Sequence, residues 1–231
     1  MMYIRGFLKT TLLDYPGHVA STVFLGGCNM RCPFCHNMDI VTSEGPAEYT
    51  DEDILKFLAK RRGIVEGVCI TGGEPTICEE LPDLVRLIKA SGLKVKLDTN
   101  GTNPQKVKML IDEDLVDYVA MDIKSSLPNY ARACGIEGIK LAPIKETVDL
   151  LIGGKCEYEF RSTMVDELFD DAAIKDIATL LKGAKRYFLQ GYVESEFVPD
   201  KTLHAVEKEK LLGYRKELLK TIDQVELRGY D

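Results

Sequence analysis

The chain has 231 residues, of which 45% are hydrophobic and 29% are charged, and its formal net charge is −7 at pH 7. This balance is typical of a folded globular protein and excludes a disordered or low-complexity chain. No stretch approaches the roughly 18 uncharged apolar residues of a membrane-spanning helix. The amino-terminal residues 1–13 lack the apolar core and cleavage site of a secretory signal. We therefore expect a cytoplasmic protein with no membrane partner, and the acidic balance argues against nucleic acid as a partner.

Short apolar runs rich in β-forming residues alternate with longer segments of helical period. The predicted strands are 19–26, 67–71, 93–100, 118–124, 156–165 and 186–191. The predicted helices are 51–62, 81–91, 103–112, 143–152, 171–181 and about 204–221. This alternation predicts an α/β fold built from βαβ units around a parallel sheet. Six strands are fewer than the eight that close a full barrel, so an open, partial (β/α)6 TIM-like barrel and a doubly wound sheet both fit.

No linker, repeat or block of charge divides the chain, so we expect one domain over residues 1–231. Its core is predicted at about 15–192, with a carboxyl-terminal extension of helix and strand at about 193–231. Thr50 is expected to cap the first of the predicted helices, with Asp53 at its third position. Leu211, Leu212, Leu218 and Leu219 are expected to form the apolar stripe of the last helix. In either architecture, functional groups are expected at the carboxyl ends of the strands.

Three cysteines, Cys28, Cys32 and Cys35, lie within eight residues directly after the first predicted strand. Thiolates at this spacing suit an iron–sulfur cluster or zinc. A structural zinc site takes four ligands, usually in two pairs, and the chain has no second CxxC. The simplest account is a four-iron cubane held by three cysteines, with one iron open to a ligand. Two of the scattered cysteines, Cys69 and Cys156, fall in predicted strands and are expected to be small core residues.

The CxxxCxxC spacing resembles that of the radical S-adenosylmethionine (radical SAM) superfamily, and Thr71-Gly72-Gly73-Glu74-Pro75 resembles its GGE motif. Further segments resemble the glycyl-radical-enzyme activating enzymes: Asp14–Gly17, Cys35–Asn37, Leu97–Gly101 and Met121–Lys124. With Ile4–Phe7 and Thr11–Gly17 included, the chain is most similar to the activating proteins of anaerobic ribonucleoside-triphosphate reductases. The resemblance extends from about residue 4 to about residue 192. It departs from the pyruvate formate-lyase activases at Tyr15, where those enzymes have glycine.

The resemblance implies a radical SAM fold, a [4Fe-4S] cluster on Cys28, Cys32 and Cys35, SAM, and a monovalent cation. It implies that SAM binds the open iron and that one electron from a flavodoxin or ferredoxin cleaves its S–C5′ bond. The resulting 5′-deoxyadenosyl radical would take hydrogen from a backbone glycine of an anaerobic ribonucleotide reductase. In such a reaction the cofactors carry the difficult step, so the lack of a Ser/His/Asp constellation is consistent with it.

The resemblance also implies which residues contact SAM. Phe34 is expected against the adenine, and His36 either flanks the same adenine or is an ordinary surface residue. Gly72 and Gly73 allow a backbone carbonyl to approach a ligand. Glu74 is suited to accept a hydrogen bond from the SAM ammonium group.

Charged residues at the ends of three later strands complete the predicted site. Asp98 and Asp122 are expected beside the methionine part of SAM and the monovalent cation, and Lys124 is expected to contact SAM itself. Arg161 lies within a buried strand and needs an anion, for which the SAM carboxylate and Glu159 are the two candidates. Gln190 is placed to reach the ribose or the adenine. Asn100 is expected only to stabilise a turn with Gly101.

Three other readings remain open at the level of sequence, and the acidic net charge of −7 disfavours one of them, a radical enzyme that acts on tRNA. A small-molecule radical SAM enzyme, such as a 7-carboxy-7-deazaguanine synthase-like enzyme, has the same compact fold. A non-enzymatic zinc or electron-transfer module would bind metal without consuming SAM. An auxiliary cluster involving Cys78 and Cys134 is a weaker alternative, because these cysteines stand singly in the sequence.

Overall fold

The computed structural model describes residues 3–41 and 47–230. Its strands are β1 (Ile4–Thr11), β2 (Ala20–Leu25), β3 (Gly67–Gly72), β4 (Lys94–Thr99), β5 (Tyr118–Asp122), β6 (Glu157–Met164), β7 (Arg186–Gly191) and β8 (Gln224–Arg228). Its helices are α1 (Met38–Val41), α2 (Asp51–Lys60), α3 (Leu81–Ala90), α4 (Pro104–Asp112), α5 (Tyr130–Cys134), α6 (Ala142–Ile152), α7 (Asp171–Leu180) and α8 (Lys208–Leu218). The six predicted strands correspond to β2–β7, so the α/β class with a parallel sheet is confirmed.

The chain divides into two compact units. The first unit contains Met1–Asn29, Asp39–Ala120 and Lys155–Glu157. The second unit contains Met30–Met38, Met121–Gly154 and Tyr158–Asp231. Organisation as a single domain stays a prediction. None of the helices in the described parts of the chain combines the length and the apolar character needed to cross a membrane.

In the first unit, β2, β3 and β4 run parallel, with Leu25 opposite Gly72 and Ile70 opposite Leu97. The loops that follow these three strands therefore leave the sheet at the same edge, which is the edge where chemistry was expected. Strand β1 pairs antiparallel with β2, as in the Phe7–Val23 pair. Strand β1 was not predicted, because most of its side chains are exposed or half-buried and give no apolar run.

Helices α2 and α3 of the first unit form as their sequences predict. Thr50 accepts a hydrogen bond from the backbone N–H of Asp53, and the Asp53 carboxylate accepts one from the Thr50 N–H, which makes a capping box. The apolar stripe of α3, which includes Leu84 and Val85, is fully buried. Gly92 follows α3 with φ +81°, a left-handed conformation that favours glycine at a helix end.

Tyr15, the position at which the chain departs from the pyruvate formate-lyase activases, belongs to the core of the first unit. Its side chain is 3% exposed, and its ring lies 6.0 Å from that of Tyr118 and 4.7 Å from that of His18. A Cβ added at Gly67, the first residue of β3, would lie 2.9 Å from the Tyr15 ring. Tyr15 therefore fills space at the amino end of the parallel strands, away from the edge where the loops emerge.

In the second unit, β6, β7 and β8 run parallel, and α8 packs against α7 and β8. The helix predicted at about 204–221 is longer than the observed α8, and two of the four leucines assigned to its apolar stripe are exposed. Leu211 and Leu218 are buried, whereas Leu212 and Leu219 are 49% and 40% exposed. The buried positions follow the spacing 211, 214 and 218, with Tyr214 on the inner face, so one helix face accounts for the pattern.

Candidate active site

The cysteine loop and the Gly72-Gly73-Glu74 turn are joined through their backbones in the first unit. The N–H of Gly73 donates to the carbonyl of Leu25 at 2.8 Å, and the N–H of Glu74 donates to that of Gly27 at 2.8 Å. A Cβ on Gly73 would lie 1.9 Å from the Gly27 oxygen and 3.3 Å from the Cβ of Cys28. Glycine is therefore required where the two loops touch, and the contact places Cys28 directly beside the turn after β3.

Glu74 is a buried carboxylate that holds two turns together. It is 1% exposed, and Oε1 accepts from the N–H of Thr76 at 3.0 Å, the Thr76 hydroxyl at 2.5 Å and the Thr99 hydroxyl at 2.7 Å. Oε2 accepts from the N–H of Asn100 at 2.6 Å. Burial raises the pKa of Glu74, and these four donors oppose that rise. The carboxylate thus fixes the turns after β3 and β4, a role that the sequence did not reveal. Its contact with the SAM ammonium group stays a prediction.

Asn29, next to Cys28, belongs to a closed ring of side-chain hydrogen bonds, which we call the Asn29 ring. Asn100 donates to Oδ1 of Asn29 at 2.9 Å, Asn29 donates to the Thr102 hydroxyl at 2.8 Å, and that hydroxyl donates to Oδ1 of Asn100 at 2.6 Å. The ring connects the cysteine loop with the loop after β4. Asn100 therefore does more than stabilise its own turn with Gly101, and nothing in the spacing of these residues indicated the ring.

Asp98 forms an ion pair with Lys96, two residues earlier on β4. Lys96 is 2% exposed and its ammonium group also lies 3.7 Å from the sulfur of Cys69. Cys69 is fully buried as predicted, but it contacts a cation rather than apolar groups alone. The sequence analysis overlooked Lys96. The sequence pattern that could have revealed Lys96 was a lysine two positions before an aspartate, in a strand predicted to be buried.

In the second unit, Cys32 and Cys35, the other two cysteines of the motif, lie on a loop that forms backbone hydrogen bonds with two other segments. The N–H of Arg31 donates to the carbonyl of Cys134 at 2.8 Å, and the carbonyl of Pro33 accepts from the N–H of Asp200 at 3.0 Å. Cys32 is 7% exposed and Cys35 is half-buried. The end of α5 and the segment after β7 therefore position the cysteine loop.

Two cations and one anion form a charged group in the second unit: Lys124, Arg161 and Asp122. The Asp122 carboxylate accepts from Nε of Arg161 and, at 3.0 Å, from Nζ of Lys124. Burial opposes ionisation of Asp122, but the two cations outweigh it and hold its pKa well below the usual range. The pKa of Lys124 is raised: burial opposes the rise, and the charges of Asp122 and Cys32 outweigh it. The three side chains of this charged group therefore sum to one formal positive charge, and the group lies near Cys32.

Arg161, for which Glu159 was one of two candidate partners, pairs with Asp122. Glu159 accepts two hydrogen bonds from Arg228 of β8, at 2.8 and 2.9 Å. Successive side chains on a strand point to opposite faces, but residues 159 and 161 share a face of β6. The partners of these charged residues therefore depend on which other strands bring opposite charges within reach, β8 reaching Glu159 from beyond β7. A contact between Arg161 and the SAM carboxylate stays a prediction.

The residues expected near adenine or ribose differ in their surroundings. Phe34 is buried, with 6% of its surface exposed. His36 is exposed, and its ring lies 5.8 Å from that of Tyr192. Gln190 is half-buried near the end of β7, opposite Thr163 on β6. Their roles toward SAM stay predictions.

The remaining cysteines behave differently from one another. Cys156 was predicted to be a buried strand residue, but it precedes β6, is half-buried, and lies 3.3 Å from the carbonyl of Glu157. Cys134 is buried at the end of α5 with its thiol 3.6 Å from the carbonyl of Ala131, and the thiol of Cys78 lies 3.6 Å from Glu80. These contacts give neither thiol a role in a second cluster.

The three motif cysteines supply the donors that a [4Fe-4S] cluster uses. All three are reduced cysteines on one eight-residue segment. Within residues 3–41 and 47–230, no three Cys, His, Asp or Glu side chains are gathered closely enough to hold one metal ion. A cubane makes a different demand, because each of its three cysteines binds a different iron. The donor set therefore fits a three-cysteine cluster.

Comparison with known proteins agrees with this chemistry. A sequence profile of the radical SAM superfamily matches residues 22–181. A protein of Methanocaldococcus jannaschii, provisionally named a glycyl-radical enzyme activating enzyme, is 32% identical over 234 residues, covering 97% of this chain and 95% of its own. The pyruvate formate-lyase 1-activating enzyme of Escherichia coli (strain K12) is 34% identical over 128 residues, covering 52% of this chain and 51% of its own.

Among solved structures, SuiB of Streptococcus suis bound to S-adenosylmethionine has a TM-score of 0.69 with this chain at 13% identity. It covers 88% of this chain, and 48% of SuiB is matched, so the likeness concerns the fold alone. The predicted fold class, α/β of the partial TIM-barrel type found in radical SAM enzymes, is confirmed. The match to the M. jannaschii protein also continues past residue 192, where the sequence motifs end. The chain belongs to the radical SAM superfamily and, within it, to the glycyl-radical-enzyme activating family.

Proposed function

We propose that this protein cleaves SAM reductively at a [4Fe-4S] cluster held by Cys28, Cys32 and Cys35. The product radical then takes hydrogen from a backbone glycine of a partner enzyme, leaving a glycyl radical there. The nearly full-length similarity to the M. jannaschii protein, named for glycyl-radical enzyme activation, supports this activity. An anaerobic ribonucleoside-triphosphate reductase is the proposed partner, and a flavodoxin or ferredoxin is the proposed electron donor.

The observation that carries the proposal is the charged group beside Cys32, formed by Arg161, Lys124 and Asp122. Arg161 and Lys124 bring two positive charges and Asp122 one negative charge, all largely removed from water. Two cationic side chains that lie together can donate charge-assisted hydrogen bonds to an anionic ligand. The carboxylate of the SAM methionine would be such a ligand, and SAM would then lie beside Cys32.

The chain's own residues would bind the cluster and SAM and orient SAM for cleavage. The cluster with SAM supplies, when bound, the electron transfer and the carbon radical. Gly72 and Gly73 keep Cβ atoms away from the loop that carries Cys28, and Glu74 fixes the turn from which backbone carbonyls would meet the SAM ammonium group. Asp122 holds the Arg161 and Lys124 side chains in place for the carboxylate. Phe34, His36 and Gln190 are proposed to enclose the adenosine.

The choice of partner depends on the amino-terminal segment. Ile4–Phe7 and Thr11–Gly17 resemble the activating proteins of anaerobic ribonucleotide reductases. The match to the E. coli pyruvate formate-lyase activase spans only about half of either chain. We therefore propose the reductase rather than pyruvate formate-lyase as the partner.

The first test concerns SAM cleavage. Protein reconstituted without oxygen is expected to contain four irons and four sulfides per chain, and to release 5′-deoxyadenosine from SAM in the presence of dithionite. Cys32→Ser should lose cluster and cleavage, whereas Cys134→Ser, at a buried cysteine outside the motif, should keep both. Reconstituted protein with a full cluster but no SAM cleavage would refute the proposal.

The second test concerns the partner. The reduced protein with SAM is mixed separately with an anaerobic ribonucleotide reductase and with pyruvate formate-lyase, and electron paramagnetic resonance is recorded. A glycyl doublet is expected with the reductase. A doublet with pyruvate formate-lyase alone would overturn the choice of partner, and SAM cleavage with no doublet in either mixture would favour a small-molecule substrate.

A further inference from the structure

Helix α5 of the second unit ends against the loop that carries Cys32. The last carbonyl groups of a helix need donors from outside it. The N–H groups of Gly135 and Ile136 both donate to the carbonyl of Ala131 and close the helix. The carbonyl of Cys134 accepts instead from the N–H of Arg31, at 2.8 Å. The cysteine loop thus supplies a hydrogen-bond donor to the end of α5.

Gly135, the residue after α5, allows the helix end and the loop to approach this closely. Its φ is +67°, in the left-handed region that favours glycine. A Cβ added at Gly135 would lie 2.1 Å from the carbonyl oxygen of Arg31 and 2.7 Å from its carbonyl carbon. Any side chain at this position would therefore collide with the backbone directly before Cys32.

Burial of α5 decides which of the two segments would move in such a collision. Tyr130, Ala133 and Cys134 of this short helix are each 0% exposed. The hydroxyl of Tyr130 also donates to the carbonyl of Asp122, a member of the charged group, at 3.5 Å. Interiors packed at this density resist displacement. Arg31 is exposed and belongs to a loop, so the cysteine loop would shift rather than the helix.

We propose that Gly135 is a positioning residue for the iron–sulfur cluster, because it seats the end of α5 against the backbone that carries Cys32. A shift of this backbone would turn the Cys32 thiolate away from its iron. Loss of a group that orients a metal ligand typically lowers metal affinity about 10- to 100-fold. The inference rests on the cluster in the proposed function, and it adds to the cluster site a residue that lies far from the cysteine motif in sequence.

Gly138 provides a matched control in the same segment. Its φ is also +67°, and among the described residues no atom lies within 4 Å of a Cβ added to it. Gly135→Ala and Gly138→Ala therefore place an L-residue in the same left-handed conformation, with a similar cost in backbone strain. Only Gly135→Ala brings a methyl group against Arg31. The comparison separates contact with the cysteine loop from strain in the backbone.

The measurement is the retention and the spectrum of the cluster in protein reconstituted without oxygen. An iron chelator is added in excess, and the release of iron is followed by absorbance. Gly135→Ala should release iron about 10-fold faster than wild type, and Gly138→Ala should stay within about twofold of wild type. The electron paramagnetic resonance spectrum of the dithionite-reduced cluster should change in Gly135→Ala alone. Circular dichroism establishes that both variants are folded at the assay temperature.

Two results would overturn the inference while the proposed function stands. The first is a Gly135→Ala protein whose iron release and spectrum equal those of the wild type. The second is an equal change in Gly135→Ala and Gly138→Ala, because backbone strain alone would then explain both. Wild-type protein that takes up no cluster would overturn the proposed function, and the inference with it.

Hydrogen exchange in the reconstituted wild type decides the question if Gly135→Ala does not fold. The N–H of Arg31 should exchange far more slowly than in an unstructured peptide, because it donates to the carbonyl of Cys134 at the buried end of α5. Exchange of this N–H at the rate of an unprotected amide would overturn the inference, because the end of α5 would then not hold the loop.

Discussion

Arg228 and Glu159 join the last strand of the chain to β6, and their pairing yields a quantitative prediction. Glu159 is 0% exposed, and its two carboxylate oxygens accept from the two terminal guanidinium nitrogens of Arg228 at 2.8 and 2.9 Å. The guanidinium carbon lies 3.3 Å from the centre of the Phe188 ring. The side chain of Arg228 is 35% exposed, so the two partners differ sharply in their access to water.

Arg228→Met keeps an apolar stem over Phe188 but removes the two charge-assisted hydrogen bonds that Arg228 donates to the buried Glu159 carboxylate. Breaking a buried pair in this way costs about 3–5 kcal/mol, and the partial exposure of Arg228 places the expected loss near 3 kcal/mol. Glu159→Met should cost less, about 1 kcal/mol, because the Arg228 side chain can turn toward water. The double variant should lie within about 1 kcal/mol of wild type, because the charges of both partners are removed together.

The assay is thermal or urea unfolding of the cluster-free protein under reducing conditions, followed by circular dichroism. For a chain of this length, the loss in Arg228→Met corresponds to a fall of about 6–12 °C in unfolding temperature. Lys216→Met, at an exposed lysine of α8, is the control and should change stability by less than about 0.5 kcal/mol. Equal losses in the two single variants that simply add in the double variant would refute the reasoning, because the pair would then be uncoupled.

Three further predictions follow from other contacts. Asn29→Ala opens the Asn29 ring and should alter the electron paramagnetic resonance spectrum of the reduced cluster, whereas Thr102→Ser keeps the hydroxyl and the spectrum; identical spectra for both would contradict this. The Glu167 carboxylate, 2.6 Å from Nδ1 of His204, raises the His204 pKa. The contribution of the His204–Glu167 pair to the stability of the fold is therefore present below about pH 6.5, and it is lost as the pH rises through the raised pKa of His204. Glu167→Gln should lower the midpoint of the His204 NMR titration, and an unchanged midpoint would disprove the pairing. Thr50→Ala should cost about 1 kcal/mol in urea unfolding and Thr50→Ser much less, because only serine keeps the cap; equal losses would deny the capping box.

The sequence was most informative where the signal is local. The stripe of α3 and the cap of α2 were predicted correctly, because helical spacing and capping residues act within one or two turns. The strands β2–β7 were recognised because a strand buried on both faces is a short, nearly continuous apolar run. Strand β1 carries polar and half-exposed side chains, so its pairing with β2 could be seen only in the folded chain.

Prediction was weaker wherever a charged residue has to choose a partner. Arg161 was known to need an anion, but only the structure identifies Asp122, and it assigns Glu159 to Arg228. Glu74 matched a motif, yet its four hydrogen bonds to the turns after β3 and β4 had no sequence signal. Such choices depend on strand register and neighbouring side chains, which join residues far apart in the chain.

By itself, the sequence determined the fold class and the strand ends where polar residues collect, and it supplied the cysteine spacing on which the cluster is proposed. These properties follow from spacing along the chain, whether of apolar residues or of thiols. The tertiary structure alone decided that Lys96 pairs with Asp98, that Asn29 closes a ring with the loop after β4, and that Arg228 of β8 reaches across β7 to Glu159 of β6. The physical reason is that hydrogen bonds and ion pairs act over a few ångströms, and only folding determines which distant residues come that close.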